Sequence, residues 1–280
     1  MTITTPPRPY PGFLPGLGAV WAFVRRDFLI AWSYPVNFLS GFAGMIGQVA
    51  VFYFVAQIVD PSRIGGQGPT AYVAFVSVGV AVTTFFQLGA FRLATALRTE
   101  QFIGTIESLL VAPVSMVTLQ FGLVAYELML LPVRMALFLG MVGLLGVTLH
   151  PAGVLSALLL LVAFAPFVAG VAALSAAATL RFKNAWSVIG AGTAALAVLS
   201  GAYFPVSVFP QWLFHLAAVN PMAIVLDGMR AALLSGSGWA DVAPDVLAVL
   251  AISVATLLVG LGAFQAAFRA ERRRGTLGLY

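Results

Sequence analysis

The sequence predicts an all-α integral membrane protein with six transmembrane helices, and three observations carry that prediction. Hydrophobic residues fill 61% of the 280 positions and charged residues only 8%, against about 25% charged in ordinary soluble domains. Mean hydropathy is +1.02, too high for a soluble core to hide the apolar surface. The charges also gather in short segments between apolar runs, each run long enough to cross roughly 30 Å of hydrocarbon or nearly so.

Taken in order, residues 1–16 carry Pro6, Pro7, Pro9, Pro11 and Pro15, which preclude a regular helix, and they show no cleavable signal pattern. Leu17–Trp32 mixes Trp21, Phe23, Phe28 and Trp32 with Arg25, Arg26 and Asp27. Too charged to cross, it is expected as an amphipathic helix in the cytoplasmic interface or on a partner domain. Residues 1–35 thus form a cytoplasmic tail and interfacial helix, and 36–268 form one six-helix transmembrane domain.

The first span is 36–59, where Gly41, Gly44 and Gly47 invite close approach of another backbone. Gln48 stands near its middle, either bonding a neighbouring helix or lining a pathway. A Gly/Pro/Ser-rich turn leads to the second span, 71–91. The third, 117–149, is longer than one crossing needs, so it tilts or projects into the cytosol. It holds Glu127, Pro132 and Arg134; Glu127 and Arg134 lie on one face about 10 Å apart along the axis, too far to pair directly. His150-Pro151 is an outer turn before the fourth span, 152–180, and a short cytoplasmic turn precedes the fifth, 186–204, which ends on Tyr203 and Phe204.

Pro205, Pro210 and Asn220-Pro221 then cut an apolar stretch into pieces too short to cross, which predicts a short re-entrant or interfacial helix pair. Trp212 lies in its first piece. Asn220 is placed to cap the second, with Pro221 in the first turn, and Asp227 and Arg230 at i and i+3 can pair. An outer loop, Trp239–Asp245, leads to the sixth span, 246–268, and residues 269–280 form a cytoplasmic basic tail.

With both ends inside, the cytoplasmic segments hold Arg8, Arg25, Arg26, Arg92, Arg98, Arg181, Lys183, Arg269, Arg272, Arg273 and Arg274. The outer segments hold only Arg63 and Arg230, a strong positive-inside bias. That segregation explains the net charge of +5 better than nucleic-acid binding does. There is no cysteine, and His150 and His215 are the only histidines, so neither disulfides nor a metal site is expected. No phosphate-binding Gly-x-x-x-x-Gly-Lys-Ser/Thr occurs, and no nucleophile–base or metal-ligand constellation emerges; the chain is expected to hydrolyse nothing itself and to bind no cofactor.

The most informative polar segment is Glu100–Ser115, EQFIGTIESLLVAPVS. On a helix Glu100, Gly104 and Glu107 share an acidic face, while Ile103, Ile106, Leu109 and Leu110 share an apolar one; Pro113 ends it. Such a helix fits a solvated loop or the surface of a cytosolic partner. Its pattern, Glu100-x-x-x-Gly104-Thr105-x-Glu107-x-Leu109-Leu110-x-x-Pro113-Val114-Ser115, resembles the cytoplasmic coupling segment of type-2 ATP-binding-cassette (ABC) exporter permeases. Two more stretches match that family in order: Gly201–Gly236, with Phe204-Pro205, Pro210-x-Trp212, Asn220-Pro221 and Asp227-x-x-Arg230, and the C-terminal Phe264, Phe268, arginine cluster and Gly275-Thr276-Leu277.

The resemblance implies a permease moving drugs, lipids or lipid-linked glycans outward across the cell membrane. Two cytosolic ABC ATPase subunits, carrying ATP and Mg, would grip the coupling segment through Glu100, Gly104, Thr105, Glu107, Leu109, Leu110 and Pro113. It also implies a homodimer meeting through the first and fifth spans, with the short helices before the sixth span capping a pathway for which Gln48, Glu127, Arg134 and Tyr203 are candidates. The residues alone leave open an ion-coupled secondary transporter or channel using Glu127 and Arg134, although no repeated halves are visible.

Overall fold

The structure, a computed structural model, describes residues 17–58, 69–103, 116–144, 146–182 and 185–274. Among them the regular structure is entirely helical. The helices are α1 (Leu17–Ser33), α2 (Pro35–Ile58), α3 (Pro69–Ile103), α4 (Met116–Leu144), α5 (Val154–Arg181), α6 (Ala185–Leu199), α7 (Gln211–Ala218), α8 (Pro221–Ser235) and α9 (Trp239–Arg274). Short 3₁₀ turns at Pro151–Gly153 and Val206–Val208 precede α5 and α7.

Three stretches of the described residues are long and apolar enough to cross a membrane: Ala71–Thr99 within α3, Pro151–Arg181, and Trp239–Glu271 within α9. The α7–α8 pair, bent by 79° at its break, makes a fourth if taken as one span. The protein is therefore a multi-pass, all-helical membrane protein.

α3 is the central post. Of its most apolar window 72% is buried, against 17% for that of α9. Phe86, Phe164 and Phe167 join it to α5, with Phe86 and Phe167 stacked at 5.8 Å and Phe164 and Phe167 at 5.4 Å. Met222, Val225, Leu226 and Met229 of α8 complete the same core. Burying aromatic rings at offset-stacked distances adds to what apolar area alone contributes.

α5 and α9 cross with almost no side chain between them. A Cβ built on Gly170 would lie 2.7 Å from the backbone of Thr256 and Leu257, and one on Gly260 would strike the backbone of Gly170. Small residues let membrane helices touch through their backbones, where dispersion replaces the missing hydrophobic drive. Gly44 and Gly47, expected to serve that purpose on α2, look onto open space within this chain. Gly170→Ala is therefore expected to cost about 1–3 kcal/mol by overpacking, read by thermal unfolding in detergent. Gly44→Ala should be neutral or mildly stabilising, because alanine has the better helix propensity.

Several expected boundaries are corrected. The second span is not confined to 71–91: its helix runs through Arg92 and Arg98 to Ile103, so residues 100–103 finish a long helix rather than open a separate one. The fifth helix does not reach Phe204. It ends at Leu199, where Gly201 adopts a left-handed φ of 71°, a conformation favoured at helix C-termini.

Trp239–Asp245 is not a loop but the opening turns of α9, and residues 269–274 are its close rather than a free tail. There Asp241 Oδ2 accepts the Gly238 N–H at 3.2 Å. An acid in the first turn that reaches back in this way starts a helix, so its charge was misread as a loop signal. Arg134 is half-buried on α4, which also carries Glu127.

Candidate functional site

The polar side chains that α3 organises fall into one group near Arg92 and another near Phe75. At the Arg92 end, Val24 and Asp27 form the buried face of α1, while Trp21, Phe28 and Trp32 stay exposed. Asp27 is only 4% exposed. Its carboxylate accepts Arg92 Nη2 of α3 at 2.6 Å and Arg26 Nε at 3.1 Å. A carboxylate this buried persists only when paired, so this pair ties α1 to the central post.

Sequence reasoning read Asp27 as one charge in an interfacial helix and missed the pairing. The spacing of Val24 and Asp27 at i and i+3 is a signal that could have exposed it. Beyond Arg92, α3 continues to Glu100–Ile103. The rest of the expected coupling segment, with Gly104, Thr105, Glu107, Leu109, Leu110 and Pro113, lies outside the described residues.

Near the Phe75 end of α3, two of the pathway candidates come together. Gln48 Nε2 of α2 donates to the Tyr203 hydroxyl at 3.4 Å, and the Tyr203 ring stacks on Phe52 at 5.4 Å. Tyr72 of α3 donates in turn to the Tyr203 carbonyl at 3.4 Å. A lone glutamine among apolar helices thus finds a partner on another element, as its desolvation cost requires. Tyr203 sits in the turn after α6, not within a span.

The group near Phe75 is organised by Arg230. Its guanidinium, on the buried face of α8, donates from Nη2 to the carbonyls of Gly201 (2.9 Å) and Ala202 (3.2 Å), and from Nε to the Phe75 carbonyl of α3 (3.3 Å). Its carbon lies 3.4 Å from the centre of the Phe75 ring. The expected pairing with Asp227 exists at 3.5 Å. It is the weakest of these contacts, because Asp227 is 65% exposed and exposed pairs contribute little.

Chain geometry explains why the carbonyls need this arginine. Gly201 turns the chain out of α6, so the peptides that follow have no helical partner and remain buried. A planar cation with five donors satisfies several such acceptors at once.

Asn220 holds the base of α8. Its side-chain oxygen accepts the Met222 N–H at 3.1 Å, its Nδ2 donates to the Leu196 carbonyl at 2.9 Å, and Pro221 fills the first helical position. That cap fixes α8 against the end of α6. Pro205 precedes the 3₁₀ turn and Pro210 opens α7. Phe204 packs edge-on against Phe209 at 5.4 Å, while Trp212 is 67% exposed. No group of three or more His, Asp or Glu side chains able to hold a metal ion occurs among the described residues.

A family model described as ABC-2 type transporter matches residues 18–234. The match runs from α1 to the last turn of α8 and takes in both the Asp27–Arg92 and the Arg230 groups. No curated protein matches the chain.

Proposed function

Because the chain belongs to the ABC-2 type transporter family, whose members are transmembrane permeases that associate with ABC ATPase subunits, we propose that it is the six-span permease of an exporter. In this reading two copies of the chain and two cytosolic ATPases form the working complex. ATP and Mg reside on the ATPases, and the substrate is a drug, a lipid or a lipid-linked glycan moved outward across the cell membrane. Both termini are cytoplasmic, in accord with the segregation of basic residues.

The observation that carries the proposal is the family match across residues 18–234, which includes the acidic-faced segment Glu100–Ser115. The geometry adds a physical route. α3 is one uninterrupted helix from Phe75, against which Arg230 stacks, past Arg92, which holds Asp27, to Glu100 at the start of that segment. Force applied by an ATPase at residues 100–115 thus meets a rigid rod whose far end carries the outer helix pair. We assign Glu100 and Glu107 to the ATPase surface. Gln48 and Tyr203 stand beside the proposed pathway, with Glu127 and Arg134 on α4 as further candidates for it.

The test is Glu100→Lys with Glu107→Lys. The double reversal should abolish co-purification of the ATPase and its stimulation by the permease, while membrane insertion and thermal stability persist. Survival of both co-purification and stimulation would overturn the assignment of this segment.

A further inference from the structure

α4, α5 and α8 enclose a cavity of about 660 Å³ that none of the groups above uses. Val133, Leu137 and Gly140 of α4 line one wall, Ala157 and Leu161 of α5 the other, and Met229 of α8 the floor. α5 contributes Val154, Ala157, Leu158 and Leu161 and α8 contributes Met229 and Leu233, at helical spacing, so each of these two turns one apolar stripe to the cavity. The floor is fully buried, while Leu137 and Val154 at the mouth are about half exposed. The cavity lies along the first turns of α5, at the end opposite Arg181, within about 15 Å of the helix start.

A cavity of this size and lining cannot hold ordered water, which needs two to four polar partners. In a multi-pass membrane protein the mouth opens instead on hydrocarbon. The polar group at its rim is His150, whose backbone N–H donates to the Leu233 carbonyl at 2.8 Å and whose ring lies over Gly236. An apolar slot one leaflet deep, with a hydrogen-bonding side chain at the interfacial end, matches a single acyl chain whose glycerol and headgroup remain outside.

We propose that this cavity is a binding site for one acyl chain of a membrane phospholipid, in the leaflet remote from Arg181. Because Met229 and Leu233 adjoin Arg230 on α8, an acyl chain seated there packs against the helix that carries Arg230.

The full-length chain is reconstituted in vesicles of phosphatidylethanolamine and phosphatidylglycerol, doped with phosphatidylcholine carrying a diazirine in one acyl chain. After photolysis, mass spectrometry should find adducts concentrated on residues 133–140 and 154–161, displaced by excess unlabelled phosphatidylcholine. Gly140→Leu is the blocking variant. A Cβ at Gly140 meets nothing within 4 Å, so the leucine fits and fills the slot, and adducts should fall about tenfold with the loss of roughly two buried methylenes from the lipid contact. Leu137→Trp, at the exposed mouth, should give the same loss without touching the floor.

Adducts spread evenly over the lipid-facing helices would overturn the proposal. So would adducts unchanged in both variants at wild-type thermal stability, or peptides of a second copy cross-linked into the slot instead of lipid.

Discussion

Arg230→Met should destabilise the protein by about 3–5 kcal/mol, the cost of leaving buried polar groups without their charged partner. The carbonyls of Phe75, Gly201 and Ala202 lose their donor together, and the Phe75 ring loses the cation at its face. Methionine keeps the bulk of the stem, so the loss reports hydrogen bonding rather than a cavity. Arg230→Lys should fall between, because an ammonium keeps the charge but cannot fork to three acceptors on two elements.

Asp227→Asn separates this reading from a simple ion pair. Since Asp227 is largely exposed and 3.5 Å away, its loss should cost no more than about 1 kcal/mol. Thermal unfolding of the three variants in the same detergent checks the order. Asp227→Asn as damaging as Arg230→Met would show that the pair, and not the carbonyls, holds α8.

Asp27→Ala is expected to have the second largest effect, about 2–3 kcal/mol once the partial exposure of Arg92 and Arg26 is discounted. Arg92 would be left without its short contact, and α1 would lose a buried charged tie to α3. The double-mutant cycle with Arg92→Met isolates the pair. Additive losses would mean the two residues act independently, whereas a coupling of about 1–3 kcal/mol is expected for groups in direct contact. If α1 also carries motion from the ATPase, Asp27→Asn should lower ATP-driven transport more than it lowers ATPase binding.

Much of the fold was legible from local chemistry. α1 covers Leu17–Ser33 and α2 opens at Pro35, where an aromatic-basic stretch gives way to a mostly apolar one. The Asn220-Pro221 start of α8 was legible for the same reason, since a cap and its first proline act within one turn. The beginning of α9 was misjudged because Asp241, Pro244 and Asp245 lower the hydropathy of a segment that is nevertheless helical. The end of α6 was misjudged because apolar residues continue past Gly201 after the helix has stopped.

Of the candidate site, the residues were visible but their partners were not. Arg230 was matched with its helix neighbour Asp227, the only acceptor that spacing reveals; backbone carbonyls carry no residue signature, so Gly201 and Ala202 could not be recognised as its ligands. Gln48 was read as needing a partner, yet nothing in the order of residues identifies Tyr203, far along the chain, as that partner.

What the sequence determined by itself was the solvent and the class: composition sets the cost of exposing this chain to water, and helix is the single-segment answer to unsatisfied backbone in lipid. Only the tertiary structure decided which charges are buried, which glycines touch another backbone and where an apolar slot is left open. Those depend on residues brought together from distant parts of the chain, where a contact of 3 Å forms or fails according to how α3, α5, α8 and α9 pack.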